Sequence, residues 1–355
     1  MTSEQTAAAQ PETTASRRGP RMPSVEEWKR AIAPFQRSSN WRASWQLINT
    51  VGPYIGLWVG MYFLAQISLW LALPVAMAAG LLLVRVFILF HDCCHGSFFK
   101  SSRANDWTGA VTGLLTFTPY HYWRYQHSIH HATSGDLEQR GIGDVWTMTV
   151  AEYLESTPLQ RFGYRLTRSP FVLFVVAPIY LFIFKQRAPR KGGTRREAIS
   201  AWRMNVSLAV MILAMGSLIG WGPYLLLQTV TITVAGAAGV WLFYVQHQHE
   251  EAYWERGKEW DYTAAALQGS SYYKLPAVLR WLSGNIGYHH IHHLSPRVPN
   301  YRLVRCHSAA GIFDSVQPLT LWRSVQTLRM HLWDEGQRRL VSFRQVHRAR
   351  RSLLG

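Results

Sequence analysis

From Ala43 to Val84 the chain carries no Asp, Glu, Lys, Arg or His for 42 residues, and from Met204 to Gln246 it does the same for 43. A helix needs about 20 apolar residues to cross a bilayer, so each run is long enough to cross twice. In the first run the spans are expected near Asn49–Trp70 and Leu73–Phe90, with a tight return near Pro74. In the second they are expected near Asn205–Ile219 and Leu225–Gln246, divided by Gly220-Trp221-Gly222-Pro223, a turn signal. Two shorter apolar runs, Gly109–Tyr120 and Pro170–Phe184, fall short of a ~30 Å hydrocarbon core at about 1.5 Å per residue. They read as interfacial or half-inserted segments. Lipid offers no partner for backbone N–H and C=O groups, so spans of this length must be helices. The expected fold class is an all-α integral membrane protein of two transmembrane helical hairpins (four spans, with or without half-inserted segments) and a cytosolic helical cap.

Charge gives the orientation. With four spans, residues 1–48, 91–203 and 247–355 lie on one side, and they hold 36 of the 37 Lys and Arg residues. The positive-inside rule places that side, with both termini, in the cytoplasm of an inner or plasma membrane. Topology and anionic lipid thus account for the net charge of +17, which removes nucleic acid as a partner. The remaining cation, Arg85, falls inside the second span. It either snorkels towards the headgroups or makes a contact near His91. Only 16% of residues are charged and 13% are aromatic, which excludes a disordered chain. Three cysteines, Cys93, Cys94 and Cys306, exclude a disulfide framework. Three segments are expected: a disordered, polar tail over 1–40, with no cleaved signal peptide; a main domain over 41–310; and a basic amphipathic segment over 311–355. In the last, Leu321, Trp322, Val325, Leu328 and Leu332 have helical spacing and suggest an interfacial helix.

Of 15 histidines, 11 fall in four clusters: His91-Asp92-Cys93-Cys94-His95, His127-Ser128-Ile129-His130-His131, His247-Gln248-His249 and His289-His290-Ile291-His292-His293. On a helix, residues three or four apart share a face. This puts His91 and His95 together, then His127, His130 and His131, then His289, His292 and His293. His247 and His249 point apart, and His247 is the expected ligand of the two. Each cluster lies at or beyond the cytoplasmic end of a span. Nine imidazoles exceed what one metal uses. A nitrogen-rich set of this size suits two iron ions with positions left open for oxygen chemistry. Asp92, Asp144 and Glu250 are candidate carboxylates for fixing imidazole tautomers, although a solvated charge is an equal reading of Asp144. His121, His307, His331 and His347 read as ordinary hydrogen-bonded or surface groups, and His249 and His290 lie off the ligand faces.

The stretches FHDCCHGSFFKS, HSIHHATSGDLEQRGIGDVW, WLFYVQHQHE and GNIGYHHIHHLSPRVPNYRL resemble the membrane fatty acid desaturases, the histidine-box non-haem di-iron enzymes, in the acyl-lipid branch of bacteria and plastids. The resemblance runs from about Trp45 to Leu303. It implies a membrane stem under a cytosolic cap holding two irons, with His91, His95, His127, His130, His131, His289, His292 and His293 at the box positions. The third box opens with His, as in the acyl-lipid branch. The HPGG motif of a fused cytochrome b5 domain does not occur in the sequence. Relatives often carry an aromatic residue where His249 stands.

The activity implied is removal of two hydrogens from adjacent methylenes of a membrane-lipid acyl chain, leaving a cis double bond, with O2 and two electrons consumed. The same scaffold also serves hydroxylases and ketolases of other hydrophobic substrates. A metal transporter would place its ligands at mid-span, whereas these clusters sit at span ends. No haem- or flavin-binding motif is present, so a separate ferredoxin- or flavodoxin-like protein is the expected electron donor.

Overall fold

The computed structural model describes residues 22–354. The first helix, α1 (Val25–Ile32), starts in a capping box between Ser24 and Glu27. It buries Trp28 and Ile32, and the following turn buries Phe35. The polar tail expected through residue 40 therefore does not extend over this stretch. Trp28, Ile32 and Phe35 recur at helical spacing, and one face of that composition is covered rather than solvated. The expected disorder before Arg21 lies outside the described residues.

Two long helices follow, α2 (Asn40–Ile67) and α3 (Leu69–Cys94), separated by Ser68 alone. The break falls at Ser68, whose backbone is extended, and not at Pro74, which lies inside α3. Next come α4 (Ser102–Leu115), α5 (Tyr120–Thr133), β1 (Met148–Thr149), α6 (Val150–Glu155) and α7 (Pro158–Thr167). A helical stretch with π-type turns, α8 (Val172–Arg187), is bent by 60° from α7. The second pair of long helices is α9 (Arg195–Ile219) and α10 (Trp221–His247). Gly220 between them has φ of 95°, a conformation that favours glycine.

The remaining chain builds the cap: α11 (Tyr262–Leu267), β2 (Tyr272–Tyr273), α12 (Ala277–Leu282), α13 (His289–Leu294), α14 (Asn300–Ala309), β3 (Pro318–Leu319), α15 (Leu321–Gln326), β4 (Leu332–Asp334), β5 (Arg339–Val341) and α16 (Phe343–Leu354). The architecture is mostly helical rather than all-α. β1 pairs parallel with β4, β4 antiparallel with β5, and β2 parallel with β3. Leu332, expected on one helix with Leu321, is instead buried in β4 opposite Val341. The helix ends first, at Gln326 and a 3-10 turn over Thr327–Arg329.

Among the described residues, α2, α3, α9 and α10 are long and apolar enough to cross a membrane. α3 is the most buried of them and packs against α2, α4 and α10. The others carry exposed apolar side chains such as Ile55 and Phe63 on α2 and Val206, Val210 and Leu213 on α9. Large exposed apolar surface of this extent marks contact with lipid or another apolar partner. The last turns of α3 and α10 bring His91 and His247 to one end of the helix bundle.

Candidate metal centre

Two shorter helices, α5 and α13, are set over the ends of α3 and α10. α5 begins after Pro119, and its i, i+3, i+4 spacing turns His127, His130 and His131 to one side. α13 does the same with His289, His292 and His293, all buried. His91 is in the last turn of α3, His95 is its C-cap, and His247 is the last residue of α10. All nine histidines singled out above come together, in two groups. His91, His95, His127, His131 and His292 form one; His130, His247, His289 and His293 form the other. Within each group one ligand atom per residue lies within 4.8 Å of every other.

The ring nitrogens converge. In the first group the Nε2 atoms of His91 and His127 are 2.9 Å apart, those of His127 and His131 3.1 Å, and those of His131 and His292 2.9 Å. In the second, His130 and His247 are 3.2 Å apart, and His247 and His289 3.0 Å. A neutral imidazole has one donor nitrogen and one acceptor. Rings of this number facing one another at these distances cannot all be satisfied by each other, and the buried Nε2 atoms of His95 and His293 have no hydrogen-bond partner among the described residues. A cation resolves the conflict. Imidazole nitrogen binds a first-row metal at about 2.0–2.1 Å, and two such bonds at right angles hold the nitrogens about 3 Å apart. Two groups of nitrogen donors fit two metal ions.

The outer nitrogens are held in turn. His130 Nδ1 lies 2.6 Å from Asp144 Oδ1, and His247 Nδ1 lies 3.3 Å from the Gly269 carbonyl oxygen. His91 Nδ1 is 3.4 Å from Asp92 Oδ1. An Nδ1–H donated outwards leaves Nε2 as the metal-binding atom. Desolvation holds the imidazoles of His127, His131, His289, His292 and His293 well below the ordinary histidine value, and neighbouring imidazoles add to this. They are neutral at neutral pH, the form that binds metal.

Below the histidines lies a cavity of about 830 Å³. Its wall includes His91, His127 and His289, so both groups face it. The rest is largely apolar: Leu83, Phe87 and Ile88 from α3, Ile232, Val240 and Phe243 from α10, Leu181 and Phe182 from α8. Trp123 lines it too and stacks on His127 at 4.2 Å between ring centroids.

Other expected residues fall elsewhere. The Glu250 carboxylate meets Arg339 at 3.2 Å rather than a site imidazole. Arg85 neither snorkels nor touches a site histidine. It is buried, donates from Nε to Thr50 Oγ1 at 2.9 Å and from Nη1 to the Trp281 carbonyl, and lies 4.3 Å over the Trp281 ring. His249 and His290 are outside both groups; burial pushes them down to about 4 and about 3. His121, His307, His331 and His347 are outside as well. Asn300 was not singled out from the sequence. Its backbone N–H and its Nδ2 donate to Asp92 Oδ2 at 2.7 and 2.8 Å, and its Oδ1 accepts from Gln46 Nε2 at 2.6 Å. No spacing rule reaches a side chain 208 residues from its partner.

Residues 68–322 match the family model described as fatty acid desaturase. The chain is 44% identical over 315 residues to a fatty acid desaturase of Bacillus subtilis (strain 168), covering 89% of this chain and 90% of that protein. It is 29% identical over 292 residues to a chloroplastic omega-3 fatty acid desaturase of Glycine max, covering 76% and 60%. It is 28% identical over 268 residues to a chloroplastic temperature-sensitive sn-2 acyl-lipid omega-3 desaturase (ferredoxin) of Arabidopsis thaliana, covering 69% and 58%.

Proposed function

The chain belongs to the fatty acid desaturase family of oxidoreductases, and from that premise we propose that it is an acyl-lipid desaturase, forming a cis double bond in an acyl chain of a membrane lipid. The observation that carries the reading is the junction of two buried histidine groups with one apolar cavity. The reaction balances as one –CH2–CH2– unit, one O2, two electrons and two protons giving one –CH=CH– unit and two waters. His91, His95, His127, His131 and His292 would hold one iron, and His130, His247, His289 and His293 the other. Bound iron supplies the reductive activation of O2 that attack on an unactivated methylene requires.

The protein's own residues do the rest. Leu83, Phe87, Ile88, Ile232 and Phe243 give the acyl chain an apolar sleeve and keep bulk water from it. Asp144 holds the His130 proton on Nδ1, and the Gly269 carbonyl does the same for His247. Trp123 fixes the plane of the His127 ring by stacking. Electrons would come from a ferredoxin- or flavodoxin-like donor; the name of the Arabidopsis relative gives ferredoxin for that protein. The site would face the cytoplasm, where the basic segments lie.

Expression in a host that lacks the product, followed by gas chromatography–mass spectrometry of the lipid fatty acids, tests the reading. A new double bond that depends on O2 is expected. A hydroxylated or keto product with no new double bond would overturn desaturation. Full turnover with one zinc per chain and no iron would overturn the metal assignment.

A further inference from the structure

The cavity below the histidines has a closed end and an open one. At the closed end its walls are buried, at Leu83 and Val84 on α3, Ile232 on α10, and Thr116. Exposed lining appears at Lys185, at Gly141, Gly143 and Trp146 of the loop before β1, and at Gln160 and Thr167 of α7.

α7 presents three faces. At about 100° per residue, Gln160, Gly163, Tyr164 and Thr167 fall on one, and all four line the cavity. Leu159, Phe162 and Leu166 fall on the next and are 78%, 64% and 50% exposed. Arg161 and Arg165 fall on the third. There α7 meets α16: Arg165 Nη2 contacts His347 Nε2. Arg161, Arg350 and Arg351 are close enough to act on the same imidazole. Among the described residues, none of these four arginines forms an ion pair. An exposed apolar stripe beside unneutralised arginines is the pattern of a helix lying in the plane of a membrane surface with anionic headgroups. On α7 that pattern adjoins a face open to the cavity.

We propose that α7 is the lip over which an acyl chain of an anionic glycerophospholipid passes sideways from the bilayer into the cavity, while the arginines shared by α7 and α16 hold its net negative headgroup at the surface. This deepens the acyl-lipid reading above by naming the entrance and the headgroup charge, and it rests on that reading for what happens to the chain afterwards. Leu159, Phe162 and Leu166 seat the helix among lipid tails, so the path from bilayer to cavity starts on apolar side chains and passes Gly163 between Gln160 and Thr167. Gly163 lines the cavity on this face of α7. A Cβ added there meets nothing within 4 Å, so a large side chain would extend into the mouth.

The test needs neither iron nor turnover. The full chain is reconstituted in phosphatidylcholine vesicles containing a phosphatidylglycerol with a diazirine at the acyl terminus; after illumination, adducts are mapped by mass spectrometry. Adducts are expected on cavity-lining positions of α3 and α10 at the closed end. Gly163→Phe should lower their yield by about tenfold, the effect of ~1.4 kcal/mol of discrimination. Gly60→Phe on α2, also facing open space but outside the cavity, should leave it unchanged. Thr167→Phe repeats the block if the Gly163 variant does not elute like the wild type. Replacing Arg161, Arg165 and Arg351 by Gln should reduce capture of the phosphatidylglycerol probe and spare the matching phosphatidylcholine probe. Undiminished cavity adducts in both blocking variants would overturn the entrance. Equal loss of both probes in the arginine variant would overturn the selection of a net negative headgroup. Competition by a water-soluble acyl thioester, with no dependence on phosphatidylglycerol, would overturn entry from the bilayer. A chain that captures lipid as expected but yields no unsaturated product would sink the desaturase reading alone.

Discussion

Asp144 sits in a loop, yet its carboxylate lies 2.6 Å from His130 Nδ1. That contact selects which nitrogen of His130 points inward. Asp144→Asn keeps the shape and removes the charge. Iron affinity, measured by competition with a chelator, is expected to fall about 10–100-fold. Glu250→Gln is the control: its carboxylate pairs with exposed Arg339, so iron content should not change. His249→Phe and His290→Ala should likewise keep both irons, whereas Ala at any of the nine grouped histidines should lower the metal count. Asn300 tests a different role. Asn300→Leu leaves Asp92 with one donor fewer in a buried site and strips Gln46 of its acceptor. An unsatisfied buried polar group costs about 1–3 kcal/mol, so a lower thermal midpoint in detergent is expected even without metal.

The long helices owe their limits to single residues. Gly220 separates α9 from α10 with φ of 95°, and a β-branched side chain there is strained by about 1–3 kcal/mol. Gly220→Val should lower the thermal midpoint, while Gly52→Val, in open space on α2, should change it little. The β4–β5 pair carries a pH dependence. Burial, with Arg168 adding to it, pushes His331 down to about 4, below the value of about 6.5 in an unfolded chain. The unfolded state then binds more protons. The stability of the pair is full above about pH 6.5 and is lost as pH falls towards 4. The protection of the Leu340 and Val341 amides, taken relative to their intrinsic exchange rates, should fall between about pH 7 and 5 in the wild type and not in His331→Phe.

Tags read the orientation of the whole molecule. A tag near Lys191 and one after Gly355 are expected on the cytoplasmic side, and one in the Trp221–Pro223 turn on the far side. A far-side result at Lys191 would mean that α7 and α8, the bent pair, cross together. Turnover with reduced ferredoxin at sub-saturating concentration should fall steeply with salt, because the Debye length shortens from about 10 Å at 0.1 M to about 3 Å at 1 M. A flat response would remove charge from the encounter. The long apolar helices and the nine histidines were legible in the chain because both are periodic signals: uncharged runs of fixed length, and i, i+3, i+4 spacing. Such signals report what one element presents to its surroundings. They did not show that Arg85 would turn to Thr50 and Trp281, that Glu250 would face Arg339, or that Leu332 would leave its helix for a strand. They also did not show how nine imidazoles divide into five and four, since His130 parts from its neighbours His127 and His131 to join His247, His289 and His293. Those outcomes depend on which groups, distant along the chain, arrive within about 3 Å of each other. Burial makes that arrangement binding, because a polar atom without water must take the partner that the packed elements bring to it.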